Sequence, residues 1–215
     1  MASRNLDWQV ALAGECMASR PFAMHDDPAS MAVVDLLRNA DMTYAHLEMN
    51  LADYGELAFA ARGDWLGSFM MADPQVARDL TWAGIDIMSL AHNHSMDFGE
   101  PGEEFSFQMP GDQSTRGSNV FVAGDRFEIQ SSCHTRDLEG NLRSIDEARK
   151  MADFVVIAHH FNIADGKRGD KTPMFVREFA HAAIDAGADI YVGHGWHSTL
   201  GIELYKGKPI VYAPR

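Results

Sequence analysis

Ala188-Asp189-Ile190-Tyr191-Val192-Gly193-His194-Gly195-Trp196-His197 is the stretch on which the reading of this chain turns. Ile190 to Val192 form a short apolar run of the length and β-branched character of a buried strand. Gly193 permits a turn at the end of that run, and two imidazoles follow three residues apart. In open α/β sheets, ligands bind at the carboxyl ends of strands. A strand that delivers histidines there is a place to build a metal site. Two solvated loop histidines are the competing reading of these ten residues alone.

Working outward, the same pattern recurs. Trp8 to Ala13 reads as a strand that runs into Gly14-Glu15. Met42 to Leu47 reads as a second, followed at once by Glu48. Ile85 to Ala91 ends in His92-Asn93-His94-Ser95-Met96-Asp97, and Asp153 to Ala158 ends in His159-His160. Between them the apolar spacing predicts helices over 31–39, 74–83, 144–152 and 172–186. Asp73 stands as N-cap before Pro74, and Gly187 closes the last helix. Ile202 to Tyr212 reads as a hairpin turning at Lys206-Gly207. The stretch 100–119 is Gly-rich and polar and offers no pattern for an element. Strands alternating with helices predict an α/β fold with a parallel or mixed sheet.

Bulk composition narrows the function. The chain has 215 residues, 46% hydrophobic and 23% charged, enough for one domain with a proper core. A formal net charge of -13 argues against a nucleic-acid partner, since no patch of Lys and Arg is concentrated anywhere. Two distant cysteines, Cys16 and Cys133, make no disulfide framework. No apolar run is long enough for a membrane segment, and the N-terminal residues lack a signal core, so the expected location is cytoplasmic. Nothing in the sequence fixes an oligomeric state. Six of the ten histidines fall in three short clusters, each after an apolar run.

Five apolar runs thus end in a potential ligand: Glu15, Glu48, Asn93 or His94, His160, and His194 with His197. Strands lying side by side would gather these ends at one sheet edge. Mixed carboxylates and imidazoles suit borderline divalent ions such as Mn, Fe or Zn better than Ca or Mg. Two such ions sharing a carboxylate make hydroxide available near neutral pH.

The ordered motifs Gly14-Glu15, His46-Leu47-Glu48, His92-Asn93-His94-x-x-Asp97, a histidine after Val155-Val156-Ile157-Ala158, and Gly193-His194-x-x-His197 resemble the CapA family. Its members are capsule or poly-γ-glutamate biosynthesis proteins within the calcineurin-like metallophosphoesterase superfamily. The resemblance spans roughly residues 8 to 212 and includes the closing hairpin. It implies a layered sandwich of mixed β-sheets flanked by helices, as a single CapA-like domain over residues 1–215. It also implies a dinuclear centre of Mn, Zn or Fe. On it Glu48 resembles the bridging carboxylate. Glu15 and His197 would lie on one ion, and Asn93, His160 and His194 on the other. His94 resembles the histidine that protonates a leaving group, and Asp97 the partner that orients it. Arg20, shortly after Glu15, is placed to meet an anionic substrate group, although an ordinary surface arginine is the favoured reading.

The chain departs from the family at three motif residues and in two stretches of its length. Glu15 stands where the family has Asp, and His46 and His92 stand where it has Asn. His46 and His92 read as further ligands or as packed core histidines, with packing favoured. His159 competes with His160, which the alignment of motifs prefers. Elements of the family pattern are missing near 103–115, and the pattern continues past 215. The expected function is a metal-dependent hydrolase using a metal-bridged hydroxide on an ester, phosphoester or amide, with a small-molecule or peptide-like, polyglutamate-like substrate. The alternative is a non-catalytic accessory protein of polymer synthesis or export.

Overall fold

A computed structural model describes residues 8–53, 55, 69–90, 92, 94, 97–98, 138–161, 164–166 and 169–214, and the backbone of 118–123 and 127–132. In chain order the elements are β1 (Val10–Cys16), α1 (Pro28–Arg38), β2 (Met42–Leu47), β3 (Asn50–Leu51), β4 (Met71–Ala72), α2 (Gln75–Trp82) and β5 (Ile87–Ser89). Then follow β6 (Ser118–Ala123), β7 (Phe127–Ser132), α3 (Leu138–Met151), β8 (Phe154–His160), α4 (Met174–Ala186), β9 (Ile190–His194), β10 (Ile202–Tyr205) and β11 (Lys208–Val211). This is the mixed α/β architecture the sequence predicts.

Three sheets organise these strands. The first is parallel, in the order β1-β2-β5, and a short parallel pair joins β3 to β4. The largest runs β10-β11-β9-β8-β7-β6. Its centre is parallel, and antiparallel hairpins close both edges. The β10–β11 turn is at Lys206 and Gly207, both with positive φ (52° and 79°), the geometry of the tight two-residue hairpin expected there.

The strands alternate strictly, and the alternation builds the layers. Met42 and Tyr44 of β2, with Ile87 of β5, pack against Val156 and Ala158 of β8 and Ile190 and Val192 of β9. This apolar layer holds the two larger sheets face to face. The opposite faces of β8 and β9, with Val155, Ile157 and Tyr191, pack on Ile145 and Ala148 of α3 and on Val176, Phe179, Ala180 and Ala183 of α4. On the far side of the first sheet, Leu47, Met49 and Leu51 pack on Val76 and Leu80 of α2. Each fully buried aliphatic side chain in these layers contributes about 1.5–3 kcal/mol.

Local signals set the helix ends. Asp27 accepts hydrogen bonds from the Ala29 and Ser30 amides at 3.1 Å each, so α1 begins at Pro28, three residues before the predicted start. The Asp73 carboxylate accepts the Gln75 amide at 2.7 Å, but the N-cap position of α2 is Pro74. In α3 the helix starts at Leu138, six residues ahead of the expected Ser144. The β6–β7 hairpin is an addition to the predicted elements. The region 103–115, where the family pattern has more elements, lies outside the described residues.

Gly193 has a different task from the one its sequence implies. It lies within β9, and the turn that follows is taken by Gly195, with φ of 96°. A Cβ on Gly193 would stand 2.2 Å from the Tyr212 carbonyl oxygen and 2.6 Å from Phe161 Cε1. Its missing side chain lets two strands and a ring approach. Gly193→Ala is therefore expected to destabilise by about 1–3 kcal/mol through overpacking. That is a fall in Tm of roughly 2–12 °C for a domain of this size. An unchanged melting curve would contradict the close approach.

Candidate metal centre

The site is the last layer of the apolar stack between the sheets. Along β8 the inward positions read Val156, Ala158, His160, and along β9 they read Ile190, Val192, His194. The register pairs them rank by rank, with His160 opposite His194. On the facing sheet, β2 and the residue just beyond it read Met42, Tyr44, His46, Glu48 at the same period of two. Hydrophobic ranks therefore give way to imidazoles and a carboxylate at the strand ends, where α/β sheets place ligands.

Two groups of donors result. His46, His160 and His194 bring one ring nitrogen each to within 4.8 Å of one another, all three buried. Glu15, Glu48 and His197 do the same with carboxylate and imidazole atoms. Glu48 touches both groups, since its Oε1 lies 3.8 Å from His160 Nε2. Glu15 sits inside β1 rather than beyond it, at a register irregularity that follows Leu12, and pairs with His46 of β2. Its carboxylate accepts the Gly195 amide through Oε1, and accepts His197 Nδ1–H at 2.8 Å through Oε2. The Glu side chain at this position thus reaches the His194–His197 loop.

Within the imidazole group the rings are closely fitted. His46 stacks on His194 with centroids 3.9 Å apart, and its Nε2 lies 3.2 Å from His160 Nδ1. His194 Nε2 lies 2.8 Å from the Tyr44 hydroxyl. Burial, followed by the neighbouring imidazoles, holds His46 and His160 well below the usual histidine range. His194 and His92 are pushed down to about 3, again by burial first. Neutral imidazole is the form that coordinates a metal, so burial keeps these rings in ligand form at neutral pH. Burial raises the Tyr44 phenol far above its ordinary value, so it is an uncharged hydroxyl.

His46 Nδ1 and His194 Nδ1 are buried and have no hydrogen-bond partner among the described residues. A buried polar atom left unsatisfied costs about 1–3 kcal/mol. A cation in this group would satisfy such atoms, and three imidazoles beside a carboxylate-rich set are donors for borderline divalent ions. The residues fit a metal centre. Cys16 adds nothing to it: burial pushes its thiol up to about 11.

His94 and Asp97 form a pair on the loop after β5. His94 Nδ1 is 2.8 Å from Asp97 Oδ2, both are buried, and the same oxygen accepts the Met70 amide at 2.8 Å. Asn50 Nδ2 donates to the His94 carbonyl at 2.7 Å, so the small β3–β4 sheet holds this loop. The His94 amide donates to His92 Nδ1 at 3.2 Å, and His92 packs edge-on against His46 at 5.5 Å.

The positions of the other sequence-predicted residues are as follows. His159 points the opposite way from His160, into the helix-side core, where Nδ1 meets the Tyr191 hydroxyl at 2.5 Å. Arg20 is exposed. Asn93 lies outside the described residues. His46, for which packing is the favoured reading, is fully buried and stands in the imidazole group. Tyr44 and Asn50 escape sequence reasoning; the period-two spacing of Tyr44, His46 and Glu48 is the signal that places Tyr44 on the site face.

The chain resembles known proteins along most of its length. It matches the family model described as "Bacterial capsule synthesis protein PGA_cap" over residues 9–109 and 103–213. "Uncharacterized protein y4sH" of Sinorhizobium fredii is 22% identical over 293 aligned residues, which cover 93% of this chain and 63% of that protein. The "Capsule biosynthesis protein CapA" of Bacillus anthracis is 26% identical over 179 residues, covering 67% of this chain and 42% of that one. The chain therefore spans less than two thirds of the length of either relative. The crystal structure of a hypothetical protein from Thermus thermophilus aligns with a TM-score of 0.54 at 17% identity, over 96% of this chain and 75% of that one, a likeness of fold. Among the described residues, no helix is long and apolar enough to cross a membrane.

Proposed function

The chain belongs to the PGA_cap family of bacterial capsule synthesis proteins, and we propose that it is a metal-dependent hydrolase of ester, phosphoester or amide bonds. Family membership directs the substrate class toward γ-glutamyl amides. One observation carries the reading. The inter-sheet core ends in a rank of three buried imidazoles beside a carboxylate-rich group, with Glu48 reaching both. Glu15, Glu48 and His197 would hold one divalent transition ion; His160 and His194, with Asn93, would hold the other. Bound there, Mn, Zn or Fe supplies Lewis acidity and lowers the pKa of a coordinated water.

The chain's own residues do the rest. Glu15 is fixed by the Gly195 amide and keeps the His197 loop against β1. Asp97 holds the His94 ring by Nδ1 and so orients it, and we assign Nε2 as the atom that carries a proton toward a leaving group. His94→Asn is expected to lower kcat by about 10²–10⁴-fold while metal binding is retained. An equal loss of bound metal would assign His94 to structure instead.

The test is turnover of aryl phosphate, aryl phosphodiester and γ-glutamyl anilide substrates by the full chain with added Mn or Zn. Chelator-sensitive hydrolysis of at least one is expected. Two bound ions with no turnover of any would favour an accessory role in polymer synthesis.

A further inference from the structure

We propose that Tyr44 is a positioning residue that commits His194 to coordinate a metal through Nδ1. The proposal rests on the metal reading of the site and deepens it, since it names the ligand atom and the residue that selects it.

The geometry leaves one choice of atom. His194 has two ring nitrogens. Nε2 is occupied, 2.8 Å from the Tyr44 hydroxyl. Nδ1 is buried and has no hydrogen-bond partner among the described residues. His194 and Tyr44 are each essentially inaccessible to solvent, so water does not exchange for either contact. The Tyr44 hydroxyl also meets the Ser89 side chain, a buried residue of β5. A phenol between two partners donates to one and accepts from the other. When Tyr44 donates to Ser89, it accepts the Nε2–H of His194, and the lone pair is left on Nδ1. When Tyr44 donates to His194, Nδ1 carries a proton that has no acceptor among the described residues. Only the first arrangement offers a donor to an ion, and it leaves no His194 ring proton without an acceptor among the described residues.

The contact is also built to hold. Tyr44 and His194 are 150 residues apart and come from facing sheets. Tyr44 belongs to the apolar layer that joins those sheets, with Met42, Val156 and Val192 around it. Its ring lies nearly parallel to His194, at 24° with centroids 6.1 Å apart. His46 stacks on His194 at 3.9 Å. The imidazole is thus restrained by stacking and pinned at one nitrogen. Partners of this kind fix the tautomer and orientation of metal-bound histidines, and their loss typically costs about 10–100-fold in affinity.

The experiment is long-range ¹H–¹⁵N correlation on the full chain with ¹⁵N-labelled histidine, metal-free and with zinc. The expected result is the Nε2–H tautomer of His194 before zinc and a zinc-induced shift confined to its Nδ1. Tyr44→Phe keeps the ring and removes the hydroxyl. It is expected to lose the tautomer bias and to weaken zinc binding by about 10–100-fold in chelator competition. An Nδ1–H tautomer in the wild type, zinc on Nε2, or unchanged affinity in Tyr44→Phe would overturn the assignment. If the wild type binds no zinc, the metal reading itself fails, and the metal-free tautomer still decides what Tyr44 does to His194.

Discussion

Replacing Glu48 with Gln is expected to abolish the thermal stabilisation that manganese or zinc confers on this chain, and to abolish turnover with it. Glu48 is 1% exposed, contributes to the carboxylate-rich group, and lies 3.8 Å from a ring nitrogen of the imidazole group. Loss of its charge therefore weakens both ion positions at once. An ion present at about a thousand times its Kd adds about 4 kcal/mol to stability. For a domain of this size that is a rise in Tm of roughly 8–16 °C. The Gln variant keeps the shape and loses the anion, so its melting temperature should become insensitive to metal. Thermal unfolding with and without Mn or Zn reads this directly. A full metal-induced shift in the Gln variant would remove Glu48 from the centre.

Mild acid is expected to destabilise the metal-free protein strongly. Unfolded histidines take up a proton near pH 6.5. In the folded chain, burial delays this to about 3 for His92 and His194 and about 4 for His159. Between those values the unfolded chain binds more protons than the folded one, so stability falls as pH is lowered. The contribution is fully present above about pH 6.5 and is lost progressively down to about pH 3–4. Each pH unit between about 6.5 and the folded value costs about 1.4 kcal/mol per histidine. At about pH 5.5 the three together lose about 4 kcal/mol, a large part of a typical domain stability of about 5–15 kcal/mol. His46 and His160 are shifted in the same direction and add to the effect. Urea unfolding in the presence of a chelator should show a much lower midpoint at about pH 5.5 than at about pH 7.5. A midpoint unchanged across that interval would mean the rings are not buried neutral.

The fold was legible where one strand face is apolar without interruption. Met42 to Leu47, Phe154 to Ala158 and Ile190 to Val192 declare themselves by β-branched and aromatic content, and the helices by their spacing. The hairpin of β6 and β7 was not legible, because the polar run before it gives no boundary. The glycine of the Gly-His motif misled for a physical reason: the sequence says only that a Cβ is unwelcome, not whether a turn or a close neighbour excludes it. Facing decided the histidines. His159 and His160 look alike in sequence, but period-two alternation sends one to the Tyr191 side and the other to the site. The same alternation, carried along Tyr44, His46 and Glu48, put His46 among the imidazoles. Contacts between facing sheets have no local signature at all. Tyr44 with His194, and Asn50 with the His94 carbonyl, join segments whose pairing depends on how the layers stack.

The most direct test of the metal centre is a crystal structure of the full chain grown with manganese or zinc, with data at each metal's absorption edge. Two anomalous peaks are expected. One should lie among Glu15, Glu48 and His197, and the other against His160 and His194 with His194 Nδ1 as its ligand atom. A well-folded chain with no anomalous peak among these residues would contradict the account.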